Sequence, residues 1–429
     1  MIVDWKSYSD RMTHDVQTKD VNVEMISDMD REMKKRGLGA IIVTGDSSQT
    51  FENPELYYVI GAMVQRGGIY LKVRSHDPVL VVSNIDVGSA RKGRVDKIET
   101  YSEYEYEKAL KQYGRNRAQA ILFERVLRRH KAKGKIGFYG KVEVSSFISL
   151  IESLRKKGHR IVGEKRPTLL DALRETKDAA EVERIGIVGS KTEKVVERTL
   201  DILRNSAIDG NNLTYQGETL TVGRVKKHIR NFLVEENLVN IEETIFAAGP
   251  GSSDPHYRGE ESDPVRAGEP IVFDIFPREV GGYCFDTTRT YVVGKPSQEV
   301  RSMHEAVLEA QLAALDNLRD GVNARDVTEK VCDIFERRGY KTQRDIAKGD
   351  ETARTTGFTH SLGHGVGLTI GERPNLSVLV DETLKEGHVT SVEPGLYKPG
   401  LGGVRIEDIV VIRKTGVQNL SKLDKALEL

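Results

Sequence analysis

The sequence predicts an α/β domain followed by a larger α+β domain. Three observations carry that expectation. The chain has 429 residues, too many for one ordinary core. Strand-like and helical runs alternate through the first 170 residues. Beyond them, long helices are interleaved with short strands that carry isolated acids.

The elements follow in order. Val23, Ile26, Met29 and Met33 lie at helical spacing within residues 20–37, and GAIIVTG follows as a buried strand. GIYLKV, PVLVVS and KIGFYG read as further strands, with helical patterns near 103–132 and 143–157. The segment GDSSQTFENPE after the first strand lacks the glycines of a phosphate-binding loop, and no chemistry is read in this part. A helix over about 178–204 follows Arg166-Pro167, which sets the expected domains at 1–170 and 171–429. The short linker is not Gly/Ser-rich, so packed domains are expected. Helices near 218–236, 297–318 and 325–338 complete the pattern, with no tandem repeat or low-complexity tract.

Composition removes several function classes. Lys+Arg and Asp+Glu balance at 65 each, so no overall field favours nucleic acid. The N-terminal MIVDWKSYSDRMTHDVQTKD lacks the apolar core of a signal peptide, and no apolar run is long enough to span a membrane. Cys284 and Cys332 are the only cysteines, which suits a reducing, cytoplasmic setting better than a disulfide scaffold.

Five residues with metal-binding side chains stand in separate short strings of the last third. They are Asp274 in IVFDIFP, Asp286 in GYCFDTTRT, His364 in HSLGHGVGL, Glu393 in SVEPGLY and Glu407 in GVRIEDIV. Asp274 and Asp286 are twelve apart, with the midpoint at Val280 beside Gly281-Gly282, so a hairpin would set them opposite one another. Glu393 and Glu407 are fourteen apart about Gly400, again a turn signal. Arg405 falls on the same strand face as Glu407. A single acid of this kind is more often exposed or salt-bridged. Four acids on strands, where acids are depleted, would need cations to offset burial. Such a set holds two divalent ions and activates water, so hydrolysis is expected. Gly363 and Gly365 flank His364 and permit close backbone approach. An imidazole among carboxylates suits Mn²⁺, Co²⁺, Fe²⁺ or Zn²⁺ better than Ca²⁺. His360 is positioned to orient a ligand, or to serve structure alone. His256, in the loop GPGSSDPHYRG, is expected to face substrate. His14, His76, His130, His159, His228, His304 and His388 read as surface or packing residues.

These strings, in the order Asp, Asp, His, Glu, Glu, resemble the pita-bread metallopeptidases: aminopeptidase P, prolidase and methionine aminopeptidase. The likeness runs from about residue 175 to the C-terminus. The first ~170 residues are similar in layout to the N-terminal α/β domain of aminopeptidase P, prolidase and creatinase. The resemblance implies an α+β pita-bread (creatinase/aminopeptidase) catalytic domain with two divalent ions, Mn²⁺ or Co²⁺ first and Zn²⁺ or Fe²⁺ next. It makes Asp286 and Glu407 bridging ligands, gives Asp274 to one ion, and gives His364 and Glu393 to the other. Glu393 becomes the proton carrier and His256 a contact to substrate or transition state. His360 and Arg405 become supporting residues. The implied activity is removal of the N-terminal residue of short peptides, with proline second, by an Xaa-Pro aminopeptidase or dipeptidase. A homodimer in the cytoplasm, with peptide as the only other partner, is the corresponding expectation. The alternative is a peptidase-like peptide-binding protein with weak or no hydrolysis.

Two positions depart from the family pattern. Gly371 stands where a substrate-binding histidine is usual, which would alter proline-peptide cleavage. Phe276-Pro277 lengthens the Asp274–Asp286 connection, an expected wider turn or bulge.

Overall fold

The computed structural model describes residues 18–45 and 53–429. His14 and most of GDSSQTFENPE lie outside these residues. The chain separates into two compact units, Met1–Leu173 and Arg174–Leu429.

The first unit is built on a six-stranded sheet. Its strands are β1 (Leu38–Gly45), β2 (Gly68–Val73), β3 (Val79–Val82), β4 (Lys97–Thr100), β5 (Lys135–Tyr139) and β6 (Arg160–Val162), in the order β4-β3-β2-β1-β5-β6. β1 and β5 pair in parallel, whereas β1–β2 and β2–β3 are antiparallel neighbours. Strand β1 is almost wholly buried, which explains its continuous apolar run. The helices α1 (Thr18–Arg36), α2 (Pro54–Ile60), α3 (Tyr106–Tyr113), α4 (Arg115–Arg129) and α5 (Val144–Lys156) accompany it. Ala120, Phe123, Val126 and Leu127 of α4 and Leu150, Ile151 and Leu154 of α5 pack on Ile42, Leu71, Val81 and Ile136. Sequence reading missed α2, β4 and β6, because each is too short to show a period.

In the second unit, α6 (Ala179–Arg204) opens with a capping box. The Asp178 carboxylate accepts from the Glu181 N–H, and the Glu181 side chain accepts from the Asp178 N–H. α7 (Val222–Glu235), α8 (Gln298–Asn317) and α9 (Ala324–Arg337) match the expected helices within a few residues. A three-stranded sheet joins β7 (Ile245–Ala248), β8 (Ile271–Ile275) and β9 (Thr287–Tyr291). A five-stranded sheet has the order β11-β10-β12-β15-β16. Its strands are β10 (Gly363–Val366), β11 (Ile370–Leu376), β12 (Val389–Val392), β15 (Asp408–Arg413) and β16 (Gly416–Asn419). The ribbon β13 (Gly395–Lys398) and β14 (Gly402–Arg405) continues the β12–β15 hairpin to its tip. Val300, Met303, Val307, Ala310 and Ala314 line the buried face of α8 against Val392, Leu396, Val404, Ile406 and Val410. Helix packing therefore lies directly behind the strands that carry the glutamates.

Candidate metal centre

The first hairpin places the aspartates. Asp274, on β8, pairs with Thr288, not with Asp286. The expected register is thus offset by two residues, because the turn centres on Gly281 and not on Val280. Gly281 adopts φ +67°, a left-handed conformation that glycine tolerates and Val280 would resist. The register nonetheless runs unbroken from Ile271↔Tyr291 through Ile275↔Thr287 to the Arg278↔Cys284 bridge. Phe276-Pro277 therefore creates no bulge, and the extra length goes into the turn. Asp286 stands just before β9, two residues from Thr288, so alternation puts both side chains on one face.

The second hairpin places the glutamates in the expected register. Val392 pairs with Asp408 and Gly395 with Arg405, which brackets Glu393 opposite Glu407. At this level the ladder opens outward. The Glu393 N–H donates to Leu362 O at 2.8 Å, and the Glu407 N–H donates to Thr288 O at 3.0 Å. Each glutamate is thus tied to a neighbouring strand, and both side chains enter the space between the two hairpins. His364, on β10, arrives from a third strand. A Cβ on Gly363 would stand 2.1 Å from Ser391 O, and one on Gly365 2.1 Å from Arg373 O. Only glycine fits on either side of this histidine.

One atom each of Asp286, His364 and Glu407 lies within 4.8 Å of the others. His364 Nε2 is 3.2 Å from Glu393 Oε1 and 3.8 Å from Asp286 Oδ2. Asp274 is linked to the group through Arg405, whose Nη2 is 2.6 Å from Asp274 Oδ2. Arg405 Nε also donates to Thr288 Oγ1, which donates to Glu407 Oε2 at 2.7 Å. Asp274 and Glu407 therefore each have one oxygen held by hydrogen bonds. Their second oxygens, Asp274 Oδ1 and Glu407 Oε1, are buried without a hydrogen-bond partner, as is Asp286 Oδ1. Bare buried carboxylate oxygens are costly unless a cation meets them. The donor set fits divalent metal ions on that ground. Burial, followed by the charges of Glu407, Asp274 and Glu393, pushes the Asp286 carboxyl well above its usual range. Burial, then Glu393 and Asp274, does the same to Glu407. Glu393 is pushed up to about 7 by burial, opposed by the nearby Arg405 charge.

His360 lies beside this set. Its Nδ1 donates to Ser361 O at 2.8 Å, which leaves Nε2 to accept from Tyr397 Oη at 2.9 Å. Arg405 Nη1 donates to the same Tyr397 oxygen at 2.7 Å. Burial, and then the Arg405 charge, push His360 down to about 3, so it is neutral at ordinary pH. His256 is exposed on its loop, where its N–H donates to Asp254 Oδ1. The carbonyl before it, Pro255 O, lies 3.4 Å from Arg405 Nη1. Sequence reading missed Thr288, Ser391 and Tyr397. Thr288 was detectable by its alternation with Asp286. Ser391 Oγ, which donates to Glu393 Oε1 at 3.0 Å, had no distinguishing signal. Of the histidines expected on the surface or in packing, His304 and His388 are buried packing residues.

Gly371 proves to be more than a missing histidine. It sits where the β10–β11 register slips, with φ +79°. Nothing lies within 4 Å of a Cβ built there, but the backbone conformation is one that histidine adopts with strain. The following Glu372 is bound by Arg174 and Lys177.

No helix among the described residues is long and apolar enough to cross a membrane. Comparison with known proteins agrees with the geometry. Over 416 residues the chain is 27% identical to the Xaa-Pro dipeptidase of Pyrococcus horikoshii, covering 95% of this chain and 99% of that protein. A 186-residue stretch is 40% identical to the Xaa-Pro dipeptidase of Pyrococcus furiosus, covering 43% of this chain and 49% of that protein. The fold matches the solved structure of an Xaa-Pro dipeptidase from Bacillus anthracis with a TM-score of 0.76 at 23% identity, over 95% of this chain and 100% of that one. The model of metallopeptidase family M24 matches residues 183–414, more than half of the chain and all five expected ligands, and the chain belongs to that family.

Proposed function

We propose that this protein removes the N-terminal residue of short peptides whose second residue is proline. The observation that carries the reading is a cluster of buried acids: Asp274, Asp286 and Glu407 each keep one oxygen without a hydrogen-bond partner, and His364 stands beside Asp286, Glu407 and Glu393. Asp286 and Glu407 would bridge two cations, with Asp274 on one and His364 and Glu393 on the other. Bound divalent ions supply an acidified water and a positive charge beside the scissile carbonyl. Glu393, steadied by Ser391, takes a proton from water and passes it to the leaving amine. Arg405 fixes Asp274 and, through Thr288, Glu407. His256 faces the peptide and donates to the developing oxyanion. His360 holds Tyr397 toward Arg405.

The preference for proline rests on the similarity to proteins named Xaa-Pro dipeptidase. The near full-length match to one of them favours the dipeptidase arm over the aminopeptidase arm. Mn²⁺ or Co²⁺ is the proposed metal, because hard carboxylates dominate the set with one borderline imidazole. A cytoplasmic homodimer is the proposed working form, in keeping with two buried free thiols and the commonest symmetry of soluble proteins.

The test is reconstitution. Protein stripped by chelator and reloaded with Mn²⁺, Co²⁺ or Zn²⁺ is assayed for release of the first residue from Xaa-Pro and Xaa-Ala peptides of two to five residues. Metal-restored turnover confined to Xaa-Pro dipeptides is expected. Turnover on longer chains moves the assignment to the aminopeptidase arm, and metal-loaded protein without turnover on any peptide overturns it.

A further inference from the structure

The glutamate hairpin contains a built-in defect. Cross-strand partners Pro394 and Ile406 sit at the level where the ladder opens, and the Ile406 N–H donates to Pro394 O at 3.4 Å. Proline has no N–H, so the reciprocal bond to Ile406 O cannot form. That carbonyl lies in the peptide that joins Ile406 to Glu407, one of the proposed bridging ligands.

A side chain from behind the sheet meets it. Gln311 occupies a core-facing position on α8, one turn after Val307, and is fully buried. Its Nε2 donates to Ile406 O at 3.3 Å and to Val392 O at 3.2 Å. The second of these carbonyls belongs to the peptide that joins Val392 to Glu393. One amide group therefore grips both strands of the hairpin at the peptides adjoining the two glutamates. Its orientation is forced from the other side. Lys425 Nζ, which can only donate, meets Gln311 Oε1 at 2.6 Å. The same ammonium lies 2.7 Å from Asp408 Oδ2, on a fully buried aspartate next to Glu407.

We propose that Gln311 is a positioning residue for the metal centre: its amide, oriented by Lys425, replaces the donor that Pro394 lacks and sets the separation of Glu393 and Glu407. This rests on the reading of both glutamates as ligands. The residue touches neither metal nor substrate. It acts by fixing where two strands diverge, and a change of a few tenths of an ångström there is felt by both ions.

The experiment titrates metal-free protein with Co²⁺ and follows visible absorption, which reports affinity and geometry without turnover. Gln311→Met keeps the length and removes both donors, and a loss of affinity of about 10- to 100-fold is expected, the range typical of groups that support metal ligands. Val307→Ala, a core change on the same helix, should lower thermal stability and leave Co²⁺ affinity within twofold. Pro394→Ala restores an N–H opposite Ile406, so in the Gln311→Met background it should recover part of the lost affinity, a coupling that a double-mutant cycle reads directly. Should Gln311→Met not fold, Lys425→Met serves instead: it frees the amide to rotate, and a smaller loss with an altered Co²⁺ spectrum is expected. Unchanged affinity in Gln311→Met, or in Lys425→Met where that is the only folded variant, overturns the proposal. So do an equal loss in Val307→Ala and the absence of coupling between positions 311 and 394. Wild-type binding that survives Glu407→Ala, or no wild-type binding, overturns the site itself and this inference with it.

Discussion

Asp286, Glu407 and Glu393 repel one another in the metal-free protein and hold protons more tightly than exposed carboxyls do. The sign of the pH effect follows. For Glu393 the folded-state value is about 7 against an ordinary 4.5, so the folded chain binds more protons than the unfolded chain between these values. Its stabilising contribution is complete below pH 4.5 and is lost as pH rises through 7. Metal-free protein is thus expected to melt at lower temperature at pH 8 than at pH 5.5, beyond the change seen in Glu393→Gln, as thermal scans in chelator would show. Metal affinity should run the other way and strengthen over the same interval, because cations displace those protons. Glu407→Gln carries a paired expectation. It removes one repelling charge, so the metal-free protein should be as stable as wild type or more so, while Co²⁺ binding and peptidase activity are lost. A variant that retained wild-type turnover would reject the bridging role of Glu407. Most candidate site residues could be named from sequence because their types are rare on strands. Gln311 could not, because its importance lies in which carbonyls it reaches across more than 80 residues of chain.

At the scale of elements, two hairpins were read by the same midpoint argument with different outcomes. For Glu393 and Glu407 the midpoint Gly400 is also the turn centre, and the register is as expected. For Asp274 and Asp286 the midpoint is Val280, but the chain turns about Gly281, since the conformation at the turn excludes a β-branched residue. Symmetry in sequence gave a good first guess, and backbone sterics decided the final register. Gly281→Ala is expected to lower stability by about 1–2 kcal/mol, the usual strain of a side chain in the left-handed region. Urea unfolding of the metal-free protein checks this, and a loss below a few tenths of a kcal/mol would place the turn elsewhere. The same argument changes the outlook for position 371, where a bulge and a left-handed backbone are already built for glycine. Supplying the histidine usual in the family would strain β11 as well as add an imidazole.

For the whole molecule, the candidate metal ligands come from strands of three sheets of the second unit or from their ends: β8 and β9, β10 and β12, and the β13–β14 ribbon. Ions that bind the folded state alone stabilise it by mass action, by about 2.7 kcal/mol at a hundredfold excess over Kd. In a unit of this size that corresponds to a rise in Tm of roughly 5–10 °C. Calorimetry with and without Mn²⁺ is expected to show that rise in wild type and none in Asp286→Ala. An equal rise in both would locate the ions outside these residues.

By itself the sequence determined which acids and which histidine are the candidate ligands, that they belong to an α+β unit after an α/β unit, and which family pattern they follow. These are consequences of residue type and short-range alternation, which a strand or helix expresses locally. The tertiary structure alone decided the register of the aspartate hairpin, the bulge at Gly371 and the grip of Gln311 on the two glutamate strands. Each depends on a backbone conformation or on a hydrogen bond between distant segments, and such contacts leave no local period in the chain.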